Sequence, residues 1–476
     1  MEEKQKRASF SGSLGFILAA AGSAVGLGNL WRFPTLAAKD GGGVFLLVYV
    51  ILSLTFGFAL LTTEIAIGRK TRKSPLLAYT ALDKRFSFLG VIASAIPVLI
   101  FPYYCVIGGW VTKYSAVYIT GGAGNIVETE TESFFTDFIA SFPEPVIWFL
   151  VFMAITAVIV LLGVEKGIEK ASKIMMPALV LIVLGISIYS LTLSYTDPQS
   201  GITRTAWEGF LLYVVPNFEG MTFPKFATIL LDAIGQMFFS MSIAMGIMIT
   251  YGSYCKKDAN LVKAVNHIEL FDTGVAILAG LVVIPSVFAF QGTEGLSAAG
   301  PSLMFISLPQ VFQAMGFVGN IVGALFFVLV FFAALTSSIS LLETIASTLI
   351  DAFKLRRPVA TAISFLFSLL VGLFVCFGYN IFDMELSLPN GATEQKLLDL
   401  FDYVASSVML PLVALVTCIF VGWILKPKSL LDEIEHGLDG GAFRRRSLYV
   451  VMIKYVAPVF LFLLILQAFN LFSFLG

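Results

Sequence analysis

The chain has 476 residues, of which 58% are hydrophobic and 13% are charged, and its formal net charge is -1. A soluble domain of this length carries far more charge on its surface, so the composition excludes an ordinary soluble protein and indicates an integral membrane protein. The basic residues cluster at the ends of apolar runs, which favours a role in membrane topology over a nucleic-acid-binding surface, and we expect no nucleic-acid partner.

Several apolar runs reach the roughly 20 residues that a helix needs to cross a hydrocarbon core of ~30 Å. The sequence therefore predicts an all-α integral membrane protein with eleven transmembrane helices. The predicted spans lie near residues 12–37, 43–68, 88–120, 144–163, 171–193, 226–254, 264–291, 318–352, 357–379, 397–425 and 448–473. Residues 1–11 form a polar segment before the first span.

The distribution of charge predicts the orientation of the spans. Lysine and arginine in short loops stay on the cytoplasmic side of a membrane. Lysine and arginine residues cluster before span one, after spans two, six and eight, between spans four and five, and before span eleven. The loop between spans three and four, predicted on the opposite side, is acidic at Glu128 and Asp137. We expect a multi-pass protein of the plasma (inner) membrane with a cytoplasmic N-terminal segment at 1–11 and an extracytoplasmic C-terminus.

The sequence lacks the patterns of an enzyme or of a pump driven by ATP. It has two histidines, no CxxC and no HExxH, so a metal enzyme is not expected. No histidine lies near the serines, where a catalytic base would be needed, and there is no G-x-x-x-x-G-K-[ST] loop for nucleotide phosphates. We therefore expect that the protein is not an enzyme.

The first span interrupts itself between Gly22 and Asn29, and Arg32 follows at once. In lipid, helical backbone groups stay paired, and a helix loosens only where it is buried or lines a cavity, where its freed carbonyls can bind a cation. Gly22 and Gly26 also fit a small-xxx-small pattern that packs membrane helices closely. Asn29 and Arg32 are unfavourable in lipid, so together they favour a binding site over packing.

A second interruption lies at residues 236–246, inside span six. Interruptions at matching positions of two halves are the best sequence indication of a binding site at the middle of the membrane. Residues 12–193 would then form a first five-helix repeat and residues 226–425 a second one. After five spans the chain is on the other side of the membrane, so the second repeat is inverted relative to the first. The eleventh helix at 448–473 lies outside the two repeats.

Residues 14–33, with the following 41–45, resemble the first span of the neurotransmitter:sodium symporter family. Residues 236–254 resemble its sixth span, and residues 331–338 resemble its eighth. The resemblance covers spans one to ten and is similar to bacterial eleven-span amino-acid transporters. It implies a 5+5 inverted-repeat fold with discontinuous helices one and six, and a sodium-coupled symporter that works by alternating access.

The resemblance also implies two sodium ions as cofactors, each bound by oxygen ligands, which sodium prefers as a hard cation. For the first ion the implied protein ligands, besides the carboxylate of the substrate, are Ala24, Asn29, Ser240 and Asp272. For the second ion they are Gly22, Val25, Ala333, Thr336 and Ser337. From the residues alone, hydrogen bonding of the Thr336 and Ser337 hydroxyls back to helical carbonyls is the alternative.

Asp272 departs from the family pattern. Chloride-dependent relatives have Asn at this position and Ser one turn later, whereas this chain has Asp272 and then Ala276. An ionised carboxylate in a membrane needs a partner, and a sodium ion is one. We therefore expect that Asp272 replaces chloride and that chloride is not required; the alternative is that Asp272 is a solvated residue at a helix end.

The resemblance places Gly26 where amine transporters have Asp, and glycine leaves room for an α-carboxylate. The implied substrate-binding residues are Ser23, Ala24, Gly26, Leu27, Gly28, Ile100, Tyr104, Phe239, Ser240, Ser242, Met245, Ser337 and Leu341. None of them is charged, so we expect a neutral, apolar amino acid, aliphatic or aromatic. A symporter of another small carboxylate-bearing amine and a non-transporting, sodium-dependent amino-acid sensor are the alternatives.

The resemblance further implies two gates that flank the site. The outer gate pairs Arg32 with Asp402, with Tyr104 and Phe239 as a lid beneath. The gate on the inner side is formed by Arg7, Asp351 and Tyr254. Glu64 in span two is expected to accept hydrogen bonds from the broken helices, with a protonated structural carboxyl group as the alternative.

Overall fold

A computed structural model describes residues 8–122, 124, 126, 131–198, 201–296, 300–438 and 443–471. Within these ranges nine helices are long and apolar enough to cross a membrane. They are Gly43–Thr71, Lys84–Ile119, Glu144–Leu161, Val164–Ser190, Leu261–Gly295, Phe317–Phe353, Arg357–Phe377, Leu397–Ile424 and Arg446–Ala468. A tenth span is formed if the bent pair Ser13–Ala24 and Gly28–Lys39 is counted as one.

None of the remaining described elements is by itself both long and apolar enough to cross a membrane. The helices are Pro75–Leu82, Thr131–Ala140, Ala206–Val214, Phe223–Ser240, Ile247–Tyr254, Leu303–Ser307, Leu308–Ala314 and Lys428–Glu435. Strands Ser194–Thr196 and Thr203–Thr205 pair antiparallel, with Tyr195 opposite Arg204. The all-α membrane fold with discontinuous first and sixth helices is confirmed, whereas the exact count of eleven spans stays a prediction.

Span five differs from its predicted bounds. Its helix begins at Val164 rather than near residue 171, because Gly163, at φ +87°, ends the preceding helix and lets a new one start at once. The charged residues between 165 and 170 had indicated a loop, but they lie on the first turns of the helix. Charge at a helix end is therefore a poor guide to the helix boundary.

The interruption of span one is a short extended segment. Ser13–Ala24 ends at Val25, whose φ of -76° and ψ of 93° are extended, and the helix resumes at Gly28 after a bend of 51°. The break leaves backbone C=O groups at the end of one half-helix, and N–H groups at the start of the next, without partners in their own helix. The break therefore provides polar backbone atoms in the interior of an otherwise apolar bundle.

The interruption of span six contains three residues in the left-handed conformation, at alternate positions. Ser242 and Ala244 have φ of 53° and 64°, and Gly246 has 71°. Non-glycine residues adopt this conformation at a cost of order 1–3 kcal/mol each, so surrounding contacts must hold them. Glu64 supplies one such contact, since its Oε1 accepts a hydrogen bond from Ala244 N at 2.7 Å, as the sequence predicts.

The two interruptions face each other inside the bundle. Gln236 of span six donates through Nε2 to Gly28 O at 2.9 Å, and Ser242 donates through Oγ to Ser23 O at 2.9 Å. The first contact joins the helix Phe223–Ser240 of span six to the helix that follows the first break, and the second contact joins the two breaks. The fold thereby brings residues more than 200 positions apart in sequence into one buried region.

Candidate functional site

Asn29 connects the break in span one to span seven. Its Oδ1 accepts a hydrogen bond from Gly26 N at 3.1 Å, which satisfies one backbone group that the break frees. Its Nδ2 donates to Asp272 Oδ1 at 2.7 Å and to Asp272 O at 3.2 Å. The amide therefore fixes the loosened backbone and the carboxylate of span seven relative to each other.

Asp272 is fully buried and is surrounded by uncharged donors. Its Oδ2 accepts hydrogen bonds from Ser240 Oγ at 3.1 Å and from Tyr49 OH at 3.2 Å, and these two hydroxyl groups lie 2.9 Å apart. None of the ion pairs formed within the described ranges involves Asp272. A buried carboxylate group held by polar neighbours but without a countercharge has the chemistry of a cation ligand.

Three of the four protein ligands predicted for the first sodium ion thus contact one another, namely Asn29, Ser240 and Asp272. The fourth, Ala24, is the last residue of the helix before the break. Sequence reasoning missed Tyr49, because a lone tyrosine in an apolar span resembles ordinary core. Its proximity to Asp272 depends on packing between spans two and seven.

The residues predicted for the second sodium ion lie between spans one and eight. A Cβ atom at Gly22 would lie 3.3 Å from Thr336 Cβ, so these two residues are in contact. Thr336 Oγ1 donates to Phe332 O at 3.0 Å and to Ala333 O at 3.1 Å, which is the back-bonded alternative raised by the sequence. Ser337 instead bonds across the interface, donating through Oγ to Ser23 O at 3.1 Å.

Val25 is the first residue of the extended break and is fully buried. Thr336 and Ser337 thus contact span one, and the Thr336 hydroxyl is turned toward its own helix. The Thr336 hydroxyl group donates its proton to the Phe332 and Ala333 carbonyls. The lone pairs of its oxygen stay free, so the oxygen could also bind a cation.

One small cavity is lined by all thirteen residues predicted for substrate binding. Its volume is about 20 Å³, and Ile247 is the one lining residue that was not predicted. Ile247 begins the helix after the break in span six, so helical spacing did not indicate which way it points. Part of the wall is polar: Leu27 N donates to Tyr104 OH at 3.4 Å.

A second cavity lies next to the first, and both predicted outer-gate residues line it. Leu27, Tyr104 and Phe239 line both cavities, which is the position expected for a lid. The guanidinium carbon of Arg32 lies 5.5 Å from the centre of the Phe239 ring.

The predicted partner of Arg32 is engaged elsewhere. Asp402 Oδ1 accepts hydrogen bonds from Tyr103 OH and Ser406 Oγ, both at 2.8 Å. In the described part of the chain, Arg32 and Asp402 are not joined in an ion pair, although they line the same cavity. Arg32 and Asp402 therefore line one cavity. A direct contact between them stays a prediction.

Of the three residues predicted for the inner gate, Arg7 falls outside the described residues. Asp351 Oδ2 accepts a hydrogen bond from Ser74 N at 2.6 Å, and Tyr254 OH donates to Glu343 Oε1 at 2.6 Å. Glu343 is fully buried in span eight and pairs with Arg357 at the start of span nine, at 2.5 Å. Sequence reasoning missed this pair, although a charged residue inside an apolar span was a signal for it.

Glu343→Ala should lower the stability of the protein by about 3–5 kcal/mol, because removing one partner leaves the other charge buried and unpaired. The expected readout is a lower thermal unfolding midpoint in detergent or lipid. Asp383→Asn is a suitable control, since the Asp383 side chain is 70% exposed and its pair with Lys396 is therefore worth little. Equal midpoints for the Glu343→Ala variant and the unmodified protein would contradict this role.

Comparison with known proteins agrees with this geometry. Residues 7–122 and 139–475 match the sodium:neurotransmitter symporter family. The chain is 33% identical over 477 residues to the sodium-dependent transporter YhdH of Bacillus subtilis, covering 99% of this chain and 100% of that protein. It is 30% identical over 482 residues to a sodium-dependent transporter of Haemophilus influenzae, covering 98% and 99%.

Among solved structures, the chain resembles MhsT in complex with L-phenylalanine, with a TM-score of 0.84 and 34% identity over 98% of this chain and 100% of that chain. These matches extend over nearly the whole length, so they include both interrupted helices and span eight. The protein therefore belongs to the sodium:neurotransmitter symporter family, whose members are sodium-dependent membrane transporters and not enzymes.

Proposed function

We propose that the protein imports neutral, apolar amino acids together with two sodium ions, by alternating access and without chloride. The observation that carries the proposal is the buried Asp272 carboxylate group, hydrogen-bonded to Asn29 of the first break at 2.7 Å. It places a carboxyl group directly behind Ser240, which lines a cavity whose lining residues are all uncharged. A cation bound there provides a partner for the carboxylate of an amino acid.

The first sodium ion takes oxygen ligands from Ala24, Asn29, Ser240 and Asp272 together with the substrate. Because Asp272 already supplies a negative charge, chloride has no countercharge to provide. The second ion takes its ligands from Gly22, Val25, Ala333, Thr336 and Ser337, between spans one and eight. Filling this second site stabilises the contact of the first break with span eight and keeps the inner pathway closed.

The lining of the cavity supports an apolar substrate side chain. Ile100, Phe239, Met245, Ile247 and Leu341 provide apolar wall, and none of the lining residues carries a formal charge to pair with a charged side chain. Methionine is flexible and polarisable, which favours a broad range of shapes. The bound L-phenylalanine of MhsT is consistent with an aromatic substrate for this chain.

Two ions are needed for strong accumulation. A tenfold sodium gradient is worth ~1.4 kcal/mol, and a potential of 100 mV is worth ~2.3 kcal/mol per charge. Two ions therefore supply roughly 7 kcal/mol, which suffices for about 10⁵-fold accumulation of a zwitterion. One ion supplies half of this free energy and only a few-hundred-fold accumulation.

The alternation between outward and inward states follows from the two repeats, 12–193 and 226–425, moving around the site, with the helix at 448–473 outside them. In the plasma (inner) membrane the N-terminus would be cytoplasmic and the C-terminus extracytoplasmic. Arg32 and Asp402 would close the outer path, and Arg7, Asp351 and Tyr254 the inner one. Exposed ion pairs are weak, which suits contacts that break in every cycle.

Purified protein in proteoliposomes should accumulate apolar amino acids only when sodium is higher outside. The experiment compares all twenty amino acids in chloride and in gluconate, with potassium in place of sodium as the control. Uptake of apolar amino acids in both anions is the expected result. Uptake that collapses in gluconate would contradict chloride independence, and binding without flux would indicate a sensor.

A further inference from the structure

Span five lies along the first helix of span one, and two glycines allow the close contact. Gly15 and Gly22 of span one face Glu169 and Met176 of span five, at a spacing of seven residues on both helices. A Cβ atom at Gly15 would overlap the Glu169 carboxyl group, and one at Gly22 would lie 3.3 Å from Met176 Sδ. Residues seven apart share one face of a helix, so the contact runs from the first turn of span one to a proposed ligand of the second sodium ion.

The Glu169 carboxylate group accepts three hydrogen bonds, two of them from Ser11. Glu169 is 1% exposed. Its Oε2 accepts from Ser11 N at 2.8 Å, and its Oε1 accepts from Ser11 Oγ and from Lys173 Nζ, the latter at 2.6 Å. The remaining polar group of Ser11, its carbonyl oxygen, accepts from Lys256 Nζ at 2.7 Å. Ser11 is therefore held by all three of its polar groups, although it lies before the first helix begins.

The start of span one has neither a side-chain cap nor an acidic residue of its own. The helix Ser13–Ala24 is preceded by Gly12, which has no side chain, and its first turn contains no acidic residue. The first N–H groups of a helix lack partners within it, and this end carries a partial positive charge that an anion stabilises. Glu169 supplies such an anion from span five, next to Ser11. The position of this helix against span five is therefore favoured by electrostatics as well as by packing.

The residue before Ser11 binds the other broken span. Phe10 is 2% exposed, and its ring packs edge-on against Tyr251 and Tyr254, with ring centres 5.7 and 6.2 Å away. Its backbone N–H donates to Tyr254 O at 3.3 Å. Both tyrosines belong to Ile247–Tyr254, the helix that follows the break in span six. Residues 10 and 11 thus connect span five to the second half of span six.

We propose that Glu169 is a positioning residue that keeps the inner pathway closed by anchoring the start of span one to span five. This inference rests on the alternating access proposed above, in which the helix Ser13–Ala24 moves away from its neighbours when the pathway to the cytoplasm opens. That movement separates Ser11 from the carboxylate group, so the contact exists only in the closed state. Sodium in the second site, at Gly22, and Glu169 then stabilise the same position of one helix. A weaker anchor must therefore be offset by more sodium.

The test is hydrogen–deuterium exchange of the full-length protein in lipid nanodiscs, followed by mass spectrometry in sodium and in potassium. Glu169→Gln keeps the size of the side chain and removes its charge, and Lys173, 43% exposed, stays hydrated, so the fold should be retained. In sodium, peptides covering residues 10–16 should exchange about tenfold faster in this variant than in the unmodified protein. Glu165→Gln is the matched control, because it removes an exposed carboxylate group from the same helix start, Val164–Glu169. Its exchange should equal that of the unmodified protein.

A sodium titration of the same exchange distinguishes control of the pathway from a purely structural role. Sodium should slow the exchange of residues 10–16, and the half-saturating concentration should rise about threefold or more in Glu169→Gln. A purely structural defect would lower the thermal unfolding midpoint and leave the half-saturating concentration unchanged. Ser11→Ala keeps the backbone donor and loses the hydroxyl group, so it should show a smaller shift of the same sign.

Unchanged exchange in Glu169→Gln, or an unchanged half-saturating sodium concentration, overturns the proposal. Neither measurement needs a substrate. Failure of this anchor is therefore distinguishable from failure of the proposed amino-acid transport, which the uptake experiment tests separately.

Discussion

Asp272→Asn is expected to make sodium-driven uptake dependent on external chloride, or to abolish it. The amide keeps the size of the side chain and one oxygen, and Ser240 and Tyr49 still have an acceptor nearby. The substitution removes the negative charge that would face a sodium ion in the proposed first site. Two unit charges 4 Å apart interact by ~4 kcal/mol at an effective dielectric constant of ~20, so the apparent sodium affinity in gluconate should fall about a hundredfold or more.

The measurement is the sodium dependence of uptake into proteoliposomes in chloride and in gluconate. Asp272→Glu retains the charge and should remain independent of chloride, although its longer side chain alters the geometry. Asp383→Asn is the control, since the Asp383 side chain is 70% exposed and is not a proposed ligand. If Asp272→Asn keeps the original sodium curve in both anions, Asp272 does not bind the ion.

The residues that line the cavity were predictable because spans one, six and eight resemble those of the neurotransmitter:sodium symporter family, and that resemblance implies the binding set. The glycines and Asn29 of the first break and the serines of span six allow little choice of register. Once those spans are placed, their inward-facing residues must meet, and all thirteen predicted residues line one cavity. The breaks themselves predict where a site lies, and the family resemblance supplies which residues line it.

Contacts that depend on packing between distant spans were not predictable. Tyr49 reaches Asp272 across 223 positions of sequence, and no local pattern indicates that its hydroxyl group is needed there. Ile247 enters the cavity because Gly246 has a left-handed conformation that turns the chain before the next helix starts. Similarly, Asp402 bonds to Tyr103, which lies beside the predicted lid residue, and charge alone could not distinguish this partner from Arg32.

Gly26→Ala is expected to weaken substrate binding without disrupting the fold. A methyl group at this position would lie 2.7 Å from Ser337 Oγ and 3.3 Å from Tyr104 OH, inside the cavity. Ser337 would have to rotate and lose its hydrogen bond to Ser23 O, or the methyl group would occupy the place proposed for the α-carboxylate. The apparent affinity for L-phenylalanine should fall at least about tenfold, which corresponds to about 1.4 kcal/mol.

Gly185→Ala is the matched control, because a methyl group there would meet no atom within 4 Å. It should leave both KM and the thermal unfolding midpoint unchanged, since it adds a methyl group in open space. Unchanged KM values in Gly26→Ala would show that the α-carboxylate binds elsewhere, and the cavity between the two breaks would then not be the substrate site.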